Sequence, residues 1–141
     1  MDTGEVRKRL QHAIERAKRA GGERRARNDE ATRAFNTFLD QVAVPLFKQI
    51  GNVLRTENYP FTVFTPSGSV RLMSDRSADD YIELALDSTG DTPRVMARVS
   101  HSRGRRVVDA ERVVGSGQPD TLTEEELLAF LLKELEPFVE R

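Results

Sequence analysis

The chain of 141 residues has no cysteine. A disulfide framework, a thiolate nucleophile and a zinc ribbon are therefore excluded. Histidine is scarce as well, with only His12 and His101. A metal pair of histidines would exist only if folding joined two positions far apart in sequence. No apolar run approaches the roughly 20 residues that span a bilayer. The opening segment MDTGEVRKRL is charged and lacks the apolar stretch of a secretory signal. Cytoplasmic residence and no membrane partner are the expectations. There is no excess charge of either sign, the formal net charge being -1. That argues against a general polyanion binder and leaves room only for a local patch.

Catalytic signatures are missing too. No G-x-S-x-G elbow occurs, and no glycine-rich loop has the spacing or the strand-to-helix setting of a P-loop. Asp75, Asp79 and Asp80 bracket a turn, but their spacing matches no calcium loop, and turn formation accounts for them. With no constellation of nucleophile, base and orienting group, the chain reads as a non-enzyme without a cofactor or a metal.

What is present is a sorting of charge. Residues 1–34 hold ten Lys/Arg against six Asp/Glu, and residues 116–141 hold two against seven. Between them the signs balance at ten each. The apolar fraction of 38% is somewhat low and the charged fraction of 32% is high, which suits a small body carrying long, solvated helices. The length fits one domain, 1–141, with a core of its own.

Periodicity divides that domain. Val6, Leu10, Ala13, Ala17 and Ala20 recur at helical spacing, with Ile14 widening the stripe, and define a basic helical arm over 1–27. Gly21-Gly22 is expected to break this helix, since each glycine costs about 1 kcal/mol against alanine. Asn28 or Asp29 would then cap a second helical segment, 28–58, kinked near Pro45. From Phe61 the period changes to two. Five runs (61–65, 69–74, 80–87, 94–100 and 106–114) are separated by turn residues and read as an antiparallel meander of four to five strands over 61–114. Ile82, Leu84 and Leu86 give the cleanest one-faced alternation. A final helix over 123–140 opens with the capping box Thr123-Glu124-Glu125-Glu126, with Leu122 and Leu127 as a hydrophobic staple. Pro137 is expected to stop or distort it near its end.

The predicted fold class is α+β: a helical N-terminus, the meander, and the C-terminal helix packed on the sheet. Ile82, Leu84, Leu86, Val95, Val99, Leu128, Leu131 and Leu135 are its predicted core.

Two surfaces carry functional readings. Leu10, Ala13, Ala17 and Ala20 form a seam whose small residues let helices approach closely, which suits self-association as a homodimer. The leading reading is an assembly protein that pairs through its N-terminal helices, with another protein partner as a variant. The other surface is basic. Arg24, Arg25 and Arg27 on the arm, with Arg103, Arg105 and Arg106 in a glycine-bearing turn, suit anion or nucleic-acid contact. No aromatic residue for stacking precedes Phe35. A small-molecule enzyme is the third reading and would need a pocket converging on His101.

Overall fold

Five antiparallel strands hydrogen-bond in sequence order, β1-β2-β3-β4-β5, and two helices cover one face of the sheet. In the computed structural model, which describes residues 1–140, the chain runs α1 (Thr3–Phe38), a π-turn (Leu39–Ala43) and α2 (Val44–Thr56). The strands follow as β1 (Phe61–Phe64), β2 (Ser69–Ser74), β3 (Tyr81–Asp87), β4 (Arg94–Arg103) and β5 (Arg106–Val113). Helix α3 (Glu124–Val139) closes the fold. This is the α+β arrangement expected from the period change at Phe61. No helix among the described residues is long and apolar enough to cross a membrane.

The N-terminal helices depart from expectation at Gly21-Gly22. Gly21-Gly22 does not break the helix, so neither Asn28 nor Asp29 is a cap, and α1 runs unbroken for 36 residues. The Arg25 side chain lies along this bare stretch: a Cβ on Gly21 would sit 3.4 Å from one guanidinium nitrogen and a Cβ on Gly22 3.9 Å from the other. Gly21 is buried by that cover, although nearly everything around it is exposed.

Near Pro45, where a kink is expected, the helical chain continues through a π-turn. Pro45 lacks an amide hydrogen, and its ring would press on the Gln41 carbonyl in a regular helix. The chain widens locally instead, and Val44 donates its amide to the Leu39 carbonyl five residues back. A π-turn of this kind absorbs the proline and lets α2 follow directly.

Strand alternation builds the core. Val70, Leu72, Ile82, Leu84, Val95 and Ala97 point to one face and are fully buried. Helix α2 lies over β1 and β2 and supplies Phe47 and Leu54, while α3 lies over β4 and supplies Leu127, Leu131 and Leu135. Gly51 lets α2 approach closely, since a Cβ there would meet Val63 at 3.3 Å and Leu72 at 3.6 Å. Two predicted core residues are only partly buried. Leu86 lies toward the end of β3, two residues beyond the fully buried Leu84, and Leu128 packs against the cluster from its rim.

The link from β5 to α3 depends on glycine. Gly115 has φ +54 and Gly117 has φ +78, a region that disfavours side chains. Gly117 accepts the Val95 amide at 2.8 Å, tying the link to the start of β4. At the cap of α3, the Thr123 hydroxyl accepts the Glu126 amide at 3.1 Å. The Glu126 carboxylate returns to the Thr123 hydroxyl at 3.1 Å, not to its backbone amide, so the capping box is half formed. Leu122 and Leu127 are both buried, as a staple requires. Pro137 sits in the last turn without ending it, and the helix continues to Val139.

Leu131 is 1% exposed, so Leu131→Ala is expected to cost about 2–5 kcal/mol in chemical denaturation. Gly117→Ala would place a Cβ 2.8 Å from Val113 Cγ1 at positive φ; about 1–3 kcal/mol is expected from the backbone strain alone. A denaturation midpoint unchanged by either substitution would contradict the packing described.

Candidate functional site

Helix α1 is the candidate site, because most of its length touches nothing in its own chain. It starts at Thr3, capped by Asp2, whose Oδ1 accepts the Gly4 amide at 3.3 Å. Glu5 in the first turn suits the helix dipole and pairs with Arg9 at 3.0 Å. Only Gly21, Phe35 and Phe38 are buried along the whole helix. The seam predicted from sequence lies on one face, and Leu10, Ala13, Ala17 and Ala20 are all exposed. Val6 and Ile14 flank it at 45% and 44% exposure, and Leu10 is at 58%. The chain therefore presents an apolar stripe to solvent over roughly 21 Å of helix between Val6 and Ala20, taking 1.5 Å per residue.

Farther along, the same face meets the body. Ala26, Arg27, Glu30, Ala31 and Ala34 form one wall of a cleft of about 390 Å³, and the opposite wall is built from Thr92, Pro93 and the loop before α3. Beyond it Phe35 and Phe38 enter the core. Asn28, on the same stretch of α1, has its side-chain oxygen buried with no hydrogen-bond partner among the described residues.

The arginines of the second predicted surface are split between two places. Arg24, Arg25 and Arg27 are exposed on α1 and, among the described residues, form no ion pair. Arg103 and Arg106 face each other across the β4–β5 hairpin, with Gly104 at φ +60 and Arg105 between them. A glycine at positive φ in the first central position is what a tight two-residue hairpin favours. This tip lies beside the end of α3, next to Pro137 and Glu140. The α1 cleft is at Thr92 and Pro93, just before the other end of β4. Ten residues of strand separate the two, roughly 30 Å at 3.3 Å each. The six arginines do not form one continuous face.

The remaining polar candidates have structural partners. His101 packs edge-on against Phe138 with ring centroids 5.8 Å apart, while His12 is exposed on the arm. Asp80 is buried and accepts the Ser102 amide at 2.7 Å and its hydroxyl at 3.1 Å. The Asp79 carbonyl accepts the Ser100 hydroxyl at 2.7 Å. Asp75 takes the Thr62 hydroxyl at 2.5 Å and an Arg55 nitrogen at 3.0 Å. Among the described residues no group of three or more His, Cys, Asp or Glu is placed to hold a metal ion.

Arg55 is the polar residue that periodicity alone does not reveal. One of its nitrogens reaches the Phe61 carbonyl at 2.8 Å as well as Asp75, joining the end of α2 to β1 and to the β2–β3 turn. The uncovered sheet face is likewise tied across strands. Arg71 pairs with Glu83 at 2.8 Å and stacks over Tyr81 at 4.3 Å, and Arg98 pairs with Asp109 at 3.5 Å. These are register relations, and they become visible once β2, β3, β4 and β5 are aligned.

No protein-family model matches the chain, and no curated protein or solved structure matches it. The geometry of the chain itself carries the functional argument.

The hydrogen bond from Thr62, and then the one from Arg55, hold the Asp75 carboxyl below its ordinary value of 3.8. A carboxylate whose pKa falls on folding stabilises the fold above its unfolded pKa and loses that contribution as pH falls through the folded pKa. Asp75→Asn is therefore expected to lower the urea midpoint at neutral pH, with the gap to wild type closing below pH 3.8. A gap that stayed constant down the acid range would remove Asp75 from this network.

Proposed function

We propose that the protein is a non-catalytic assembly module that self-associates through the N-terminal helix α1, with a homodimer as its basic unit. The observation that carries this reading is the exposed apolar stripe of Val6, Leu10 and Ile14, continued by Ala13, Ala17 and Ala20, on a helix standing clear of the body.

Two physical arguments support it. Helices in water owe most of their stability to an amphipathic face packed against something, and a free helix is marginal even at favourable composition. This arm also carries two adjacent glycines that each cost about 1 kcal/mol. A second helix along the stripe supplies the missing packing. The exposed apolar pair on the sheet edge suits pairing less well. Val107 and Val108 stand on edge strand β5, where Arg106, Asp109, Glu111 and Arg112 are interspersed, and charged edges disfavour strand addition.

Nucleic-acid contact remains the second reading, on Arg24, Arg25 and Arg27, which form no ion pair among the described residues. It has less behind it, because the Arg103–Arg106 tip lies at the far end of the sheet, beside the acidic helix α3.

Sedimentation of the wild type at tens of micromolar, the order at which weak interfaces dissociate, is expected to show a dimer. Ala17→Glu places a charge in a close helix contact and is expected to shift the species to monomer, with the unfolding of the sheet body unchanged. A wild-type monomer at that concentration would overturn the reading.

A further inference from the structure

The geometry points to a second copy of this chain lying antiparallel along α1, with Leu10 of each arm packed on Ala20 of the other. This rests on the self-association proposed above and adds orientation and register to it.

The position of the body disfavours the parallel pair. The face of α1 that bears the stripe is the face that turns into the cleft at Arg27, Ala31 and Ala34. A parallel partner lying along the stripe would continue straight into Thr92, Pro93 and Pro119, which stand on that side of the helix. An antiparallel partner meets no such obstacle. Its helix starts at Thr3, so its first turn arrives beside Arg27, where the body begins to cover α1. The free arm, from Thr3 to the cleft, is then used over its full length, with Ile14 and Arg16 near the middle and the two bodies at opposite ends.

Side-chain size favours the same orientation. The stripe is bulky in its first half, at Val6, Leu10 and Ile14, and small in its second, at Ala17, Ala20 and Gly21. Helix separation follows the residues at the contact and varies over about 8–10 Å. A parallel pair would set leucine on leucine and then alanine on alanine, forcing the axes to diverge. Reversing one copy sets Leu10 against Ala20 and Ala13 against Ala17, so the spacing stays even.

Charge makes the third argument. Arg24 and Arg27 continue the seam spacing beyond Ala20. In parallel pairing each would face its own copy, and like charges at a helix contact destabilise it. In the antiparallel register they meet the partner's first turn, where Asp2 and Glu5 supply the opposite charge. Arg9 likewise falls near Glu23 of the other copy.

A chain without cysteine makes the test direct. Leu10→Cys and Ala20→Cys are made as single variants, and sedimentation under reducing conditions confirms that each still dimerises. They are then mixed, exchanged under reduction and oxidised gently. In the antiparallel register, Leu10 of one arm lies roughly 15 Å along the axis from Leu10 of the other, at 1.5 Å per residue. That separation lies beyond the about 7 Å Cα–Cα limit of a disulfide, so the mixed disulfide is expected in at least about tenfold excess over either homodisulfide. Predominant homodisulfides in dimeric samples would show a parallel pair and overturn the orientation while leaving self-association standing. Dimers that form no disulfide would place the interface elsewhere and overturn both. Monomeric wild type would overturn the assembly reading itself.

Discussion

Everything α1 presents to solvent depends on how its far end is held. Phe35, Phe38 and Leu39 enter the core, and the π-turn that follows carries the chain into α2 without a loop. Each buried side chain of this size contributes about 1.5–3 kcal/mol by leaving water. Because no flexible segment intervenes, the direction of the arm is set by the packing of α2 on β1 and β2. The close approach of Gly51 to Val63 and Leu72 is thus part of what aims the arm, some thirty residues earlier in the chain. A loop at Pro45 would have left the arm free to swing. The π-turn accommodates the proline and keeps the lever stiff.

The sheet is built unequally on its two faces. One face is apolar and takes both α2 and α3. The other has no helix over it and is held by pairs across neighbouring strands, Arg71 with Glu83 and Arg98 with Asp109. Cross-strand pairs of this kind contribute about 0.2–1 kcal/mol each, so they add less than the core and chiefly favour one register. The edges are handled differently. β1 is four residues long and lies between Pro60 and Pro66, and β5 carries charges of both signs. Neither edge invites another strand. The apolar arm is left as the surface for the association proposed above.

Much of the body is legible in the sequence because period-two alternation is a local property. Ile82, Leu84 and Leu86 place β3 by themselves, and Thr123 with Glu126 places the start of α3. The Leu10–Ala20 stripe is legible in the same way, and the structure shows it on one face and uncovered. What escapes local reading are relations that override propensity. Glycine propensity counts against a helix at Gly21-Gly22, and the cover that Arg25 gives Gly21 lies outside any propensity scale. Pro45 carries the signal for a kink, and nothing local distinguishes a simple kink from a π-turn. Leu86 and Leu128 fit the apolar pattern, but the extent of the covering layer decides how deeply each is buried. The division of the arginines between two ends of the sheet needed the length of β4 and the placement of the cleft, neither of which is encoded near Arg24 or Arg103.

The two glycines then acquire a meaning beyond their cost. A pair of glycines inside a solvent-exposed helix weakens it by about 1 kcal/mol each relative to alanine, and within one chain only the Arg25 side chain covers them. Along a helix contact the same residues remove the Cβ atoms that would hold a partner away. In the antiparallel register Gly21 lies next to Ala20, the residue on which the partner's Leu10 packs, under an Arg25 side chain that would have to swing aside for the partner to come close. Helix order in the arm and association of the arms are then thermodynamically linked: whatever pairs with the ordered helix stabilises it by mass action. Replacing Gly21 by alanine would separate the two terms, raising intrinsic helicity while filling the place the partner's leucine takes. A gain in arm helicity accompanied by weaker dimerisation is the outcome that distinguishes a contact glycine from one that is merely tolerated.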